Sequence, residues 1–78
     1  MRAGHDPQLL DGTALRRIRH DHGWTLEDLS FASGVSVSFL NDMEHSRRNG
    51  SIHTLVRICR ALGCDPAEIL HLEEHAHV

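Results

Sequence analysis

Apolar residues recur along this chain at helical spacing, in short runs separated by glycines and small polar residues. Leu15 and Ile18 share one face of a first helix over about 12–22, with Asp11 placed to cap its start and Gly23 to end it. Thr25-Leu26-Glu27-Asp28 has the form of a capping box, with Asp in the place of the usual Glu or Gln. A second helix therefore covers about 26–33, with Leu26, Leu29 and Ala32 on its inner side. Gly34 supplies a tight turn, and Ser36 caps a third helix over about 37–45, whose Leu40 and Met43 point inward. Val35, just before that cap, is placed to staple against Leu40. Beyond the polar stretch SRRNG at 46–50, Ser51 caps a fourth helix over about 52–62. Ile52, Leu55, Ile58, Cys59 and Leu62 form its apolar stripe. Gly63 ends it, and Asp65-Pro66, a cap followed by a first-turn proline, opens a fifth helix carrying Ile69, Leu70 and Leu72.

The pattern predicts an all-α fold, a compact five-helix bundle. Its organisation is a flexible N-terminal arm at 1–10, one domain at 11–73 and a flexible tail at 74–78. With 78 residues the core is small, and oligomerisation is a common way for such a domain to add burial. The few aromatics, Trp24, Phe31 and Phe39, suit a helical protein better than a β-sandwich. No apolar run approaches the roughly 20 residues of a membrane span, and no segment has the form of a signal peptide. A cytoplasmic protein without membrane contact is expected.

Charge changes the picture through its position. The net charge is −3, but all eight basic residues are arginines preceding residue 61, whereas 65–78 hold four acids and no base. The net negative charge is thus in the tail, which leaves the helical segment free to meet an anion. Cys59 and Cys64, five apart, have no zinc or CxxC spacing and read as small packing residues in a reducing compartment. His71 and His75 share a helix face with carboxylates nearby, a pattern that suits a transition metal. Their terminal position instead favours a solvated tail, so no metal site, cofactor or small-molecule effector is expected. Neither a phosphate-binding glycine loop nor a His-Glu-x-x-His pattern is present, and no enzymatic activity is expected.

Residues 25–45 have the layout helix, short turn with glycine, helix. A short turn forces a steep crossing, so the second of the pair can stand proud of the domain and enter a major groove about 12 Å wide. The residues within this layout resemble a known family. LRRIR at 15–19, GWTLEDLS at 23–30, GVSVSFLNDME at 34–44, RNGSIHTL at 48–55 and ALG at 61–63 match, in register over about 12–72, the phage-repressor and Cro type of helix-turn-helix protein, the XRE family. The chain is similar in size to the stand-alone controller proteins of restriction-modification systems.

The resemblance implies a lambda-repressor-like DNA-binding domain with helix 36–45 in the major groove. It assigns base reading to Ser36, Val37, Ser38 and Asp42, with Asn41 beside them, and phosphate contact to Thr25, Leu26, Arg47, Arg48 and Asn49. It also implies an ion pair between Arg19 and Glu44 joining the first and third helices. Three residues depart from the family pattern: Leu26 stands where glutamine is frequent, Val37 where Arg or Gln is frequent, and Gly50 where proline is. Hydrogen-bonded base reading by one monomer is therefore thin.

The expected function is sequence-specific transcriptional regulation, most often repression. Its partners are double-stranded DNA and a second copy of the chain, bound as a homodimer on a palindromic operator. Leu62, Ile69, Leu70 and Leu72 are the expected dimer surface. The alternative is a protein-interaction module such as an antitoxin, which the acidic tail and Asp42 favour.

Overall fold

Four side-chain oxygens start four helices. Asp11 accepts from Ala14 N at 3.1 Å, Thr25 from Asp28 N at 3.1 Å, Ser36 from Phe39 N at 3.1 Å and Ser51 from Thr54 N at 3.2 Å. In a computed structural model of the chain, which describes residues 9–71, these caps open α1 (Gly12–Asp21), α2 (Leu26–Ser33), α3 (Val37–Glu44) and α4 (Ile52–Leu62). Each such cap satisfies an amide with no intrahelical acceptor, and losing one costs about 1 kcal/mol. At Thr25 the box closes in both directions, with Thr25 N donating to Asp28 Oδ2 at 2.9 Å. Aspartate is therefore long enough to do what glutamate does at this position.

The helices surround one core. α4 packs on α2, α2 on α3, and α1 on α3. Leu15, Leu29, Leu40, Met43 and Ile58 are wholly enclosed. α1 approaches α3 so closely that a Cβ on Gly12 would overlap the carbonyl oxygen of Met43 and lie 2.7 Å from that of Glu44. The absence of a side chain at Gly12 sets the α1–α3 distance.

The expected fifth helix does not form. After α4 there is a single 3₁₀ turn, Pro66–Glu68, capped by Asp65. Ile69 then leaves helical geometry at φ −118°, and Leu70 makes an antiparallel bridge to Leu10. Asp11 N donates to Ile69 O at 2.7 Å and His71 N to Leu9 O at 2.7 Å. The capping box of Asp65 and Glu68 satisfies the start of a turn, but Ile69 O is claimed by Asp11 rather than by a following helical amide. The bundle therefore has four α-helices among the described residues, clasped by a two-residue bridge.

The same bridge draws Leu9 and Leu10, expected as the end of a loose arm, onto the domain. Leu10 is completely buried, and its N–H donates to Asn49 Oδ1 at 3.0 Å. Two residues expected at a dimer surface are in the core as well: Leu62 is 2% exposed and Ile69 is enclosed. Leu70 is half-buried, and Leu72 lies outside the described residues, as do His75 and the rest of the tail. Ile52, expected in the α4 stripe, is 69% exposed. At 100° per residue it sits about 70° from the centre of that stripe, in the first turn, where the core has already ended.

Candidate nucleic-acid interface

α3 is held by one face and displays the other. Leu40, Met43 and Glu44 are buried. At 3.6 residues per turn the opposite strip holds Ser38, Asn41 and Asp42, and Val37 lies in the first turn on the side of Glu44; all four are at least partly open to solvent. Ser36 is exposed, and its hydroxyl is spent on the Phe39 amide. The N–H groups of Val37 and Ser38, in the first turn, have no intrahelical acceptor and point along the dipole axis that favours an anion.

Two devices hold α3 in place. The first is the pair expected from the resemblance. Arg19 Nε donates to Glu44 Oε2 at 2.7 Å and Arg19 Nη2 to Glu44 Oε1 at 2.9 Å, with both side chains buried. Arg19 Nη1 also donates to Trp24 O at 2.8 Å, so one guanidinium ties α1, the entry to α2 and the end of α3. The hydrogen bonds to Glu44 raise the Arg19 pKa against the opposing effect of burial, and the field of Glu27 adds to the rise.

The second device was not legible in the sequence. Arg57, whose position on α4 reads as a solvated face, reaches the α2–α3 turn. Its Nε donates to Ser33 O at 3.2 Å and its Nη2 to Gly34 O at 2.9 Å. Gly34 has φ +77°, the left-handed geometry that closes the turn, and a Cβ there would press on the guanidinium. Ser33 Oγ accepts from Val35 N at 3.2 Å and completes the turn. No local pattern announces such a contact, because its partners are 23 and 24 residues away.

Arg47 and Arg48 sit beside the displayed strip. Ser46 adopts φ +61° and turns the chain back along α3, and Arg47 N donates to Asp42 O at 2.8 Å. Both guanidinium groups then face the Asp42 carboxylate, Arg47 Nε at 3.5 Å from Oδ1 and Arg48 Nε at 3.2 Å from Oδ2. Arg48 also lies over the Phe39 ring, 5.1 Å from its centroid, a cation–π geometry. The loop arginines and Asp42, expected to act separately, form one cluster. At the start of α2, Thr25 is exposed and Leu26 half-buried against the core. The side-chain oxygen of Asn49 accepts from Leu10 N.

Cys59 and Cys64 are free thiols near the end of α4. Burial pushes the Cys59 thiol up to about 12 and raises Cys64 as well, so both are protonated packing groups. Among the described residues no group of three or more potential ligands gathers to hold a metal, and no helix is long and apolar enough to cross a membrane.

A helix clamped on its inner face, opened on its outer face and flanked by arginines defines a helix-turn-helix domain. Residues 14–75 match the model of the Cro/C1-type HTH DNA-binding domain, and the chain belongs to that family. It is 34% identical over 65 residues to the uncharacterized HTH-type transcriptional regulator y4dJ of Sinorhizobium fredii, covering 83% of this chain and 84% of that one. It is 31% identical over 64 residues to the control protein C.BamHI of Bacillus amyloliquefaciens, covering 81% and 79%. The solved restriction-modification controller protein C.AhdI of Aeromonas hydrophila superposes with a TM-score of 0.73 at 31% identity, covering 78% of this chain and 92% of that chain.

Proposed function

We propose that the protein is a transcriptional regulator that binds operator DNA with α3 in the major groove, most often as a repressor. The observation that carries this reading is the two-faced α3: one face locked by Arg19–Glu44 and the Arg57 turn clamp, the other presenting Ser38, Asn41 and Asp42 beside two arginines. Ser38 is short enough to approach a base edge, Val37 suits a thymine methyl, and Asp42 accepts from a cytosine amino group. Arg47 and Arg48, with the first amides of α2 and α3, supply phosphate contacts.

The protein acts as a homodimer on a palindromic site, with half-site centres about one helical turn, ~34 Å, apart. Leu62 and Ile69 are not available for that contact. The exposed apolar side chains of α4, Ile52 and Val56, are, and Leu70 is half-exposed. Phe31, on α2, is 93% exposed and favours a protein contact in addition to DNA.

Titration of mixed genomic fragments at low and moderate salt tests the reading, with molar mass measured by light scattering. Arg47→Ala/Arg48→Ala should weaken binding on every fragment and reduce the slope of log K against log salt by about 2. Ser38→Ala should instead change which fragments are retained. If the wild type retains nothing at low salt, the reading fails and Phe31 becomes the place to seek a protein partner.

A further inference from the structure

Asp42 is placed to do more than read a base. Its two carboxylate oxygens each face one loop arginine, and its backbone carbonyl holds the same loop through Arg47 N at 2.8 Å. Phe39, one turn earlier on α3, carries the Arg48 guanidinium over its ring. The two groups best suited to phosphate are therefore already paired through Nε in the free protein, with an acid on the helix that reads bases. The arginines remain mostly open, each side chain 57% exposed, so the cluster is a reversible latch rather than a buried structural bridge.

We propose that Asp42 is a specificity gate that penalises phosphate contact by Arg47 and Arg48 except where a base amino group takes their place at its carboxylate. The inference rests on the DNA-binding reading above. On an arbitrary duplex, phosphate contact by the arginines breaks two ion pairs and leaves the Asp42 charge facing a polyanion without a partner. On a site that presents a cytosine amino group, the carboxylate regains a hydrogen-bond donor. The penalty then falls only on wrong sites, which is discrimination by an unfavourable contact rather than by an added favourable one. Such a device suits a recognition helix in which Val37, another base-facing position, offers no hydrogen bond.

The test compares wild type with Asp42→Asn and with Asp21→Asn, which removes the same charge at the last residue of α1. A fluorescent mixed-sequence duplex is titrated at low and moderate salt, and each protein is also used to select sites from a random duplex library. Asp42→Asn is expected to bind the mixed duplex about 2–30-fold tighter than wild type at low salt, the range for two exposed ion pairs removed. Asp21→Asn should show a much smaller gain. The advantage of Asp42→Asn should shrink as salt rises, because salt screens the latch that the wild type must open. Its selected sites should lose the cytosine preference.

If Asp42→Asn binds the mixed duplex no tighter than Asp21→Asn, or selects the same bases as wild type, the gate is overturned while the regulator reading stands. If wild type and both variants bind no duplex at low salt, the regulator reading itself fails and takes the gate with it. Thermal unfolding of each variant checks that it is native, and Asp42→Ser, also neutral, must repeat the Asp42→Asn result.

Discussion

Arg19 and Glu44 meet across the α1–α3 contact in two parallel hydrogen bonds, 2.7 and 2.9 Å, closed from solvent. Glu44 is the last residue of α3, so the pair fixes the end of the recognition helix to the helix before the motif. Glu44→Ala leaves a guanidinium buried without its anion and should cost about 3–5 kcal/mol. That is a large part of the ~5–15 kcal/mol that holds an ordinary domain. Urea unfolding measures it. The apolar pair Arg19→Met/Glu44→Leu should recover much of the loss, since no charge is then stranded. A loss below about 1 kcal/mol for Glu44→Ala would mean that the pair is solvated like a surface bridge.

Gly12→Ala should destabilise, against the usual trend. In an ordinary helix interior, alanine in place of glycine gains about 0.5–1 kcal/mol. Here the new methyl overlaps the Met43 carbonyl and comes 2.7 Å from the Glu44 oxygen, both backbone atoms of α3. Forced separation of two packed helices costs about 1–3 kcal/mol. Calorimetry reads the sign directly, and a raised melting temperature would contradict the close α1–α3 approach.

Arg57→Lys should lower stability by about 1–2 kcal/mol, although it keeps the charge. A single ammonium cannot reproduce the fork that reaches both Ser33 O and Gly34 O. Backbone amide signals from 33–35 should shift in NMR spectra, and DNA affinity should fall together with the turn. If Arg57 were only a solvated cation, the lysine variant would unfold like wild type and those amides would not move.

The thiol of Cys59 should resist alkylation at pH 8 in the native protein and react readily once urea unfolds it, as mass spectrometry of the labelled chain would show. Burial holds its pKa near 12 rather than the ordinary 9. The linkage has a sign. The folded state keeps the proton that the unfolded state releases, so this contribution is intact below about pH 9 and is lost as pH rises toward about 12. Melting temperature should therefore fall over that alkaline window, and Cys59→Ala should flatten the fall.

The four α-helices were legible because their signals are short-range. A cap and the amide it serves lie three residues apart: Asp11 and Ala14, Thr25 and Asp28, Ser36 and Phe39, Ser51 and Thr54. The inward spacing of Leu40 and Met43 also left Ser38, Asn41 and Asp42 on the opposite side of α3. Arg19–Glu44 came from the family resemblance, since nothing local links residues 25 apart.

The fifth helix failed where a local start signal met a distant competitor. Asp65, Pro66 and Glu68 do open a turn, but Asp11 takes the Ile69 carbonyl and Leu10 aligns with Leu70. The same long-range contact enclosed Leu10 and Ile69 and occupied the Asn49 side chain. Arg57 and the Asp42–Arg47–Arg48 cluster likewise depend on where a loop or helix from elsewhere arrives.

The order of residues by itself determined where each α-helix begins, which side of it is apolar, and so which face of α3 is displayed, because capping and amphipathic spacing act within a turn or two of chain. Only the tertiary structure decided which apolar residues were spent on the domain's own core, which arginine clamps the turn and which are held by Asp42. Those outcomes are set by the meeting of segments far apart in the chain, where two groups compete for one partner and the geometry of the closed fold selects the winner.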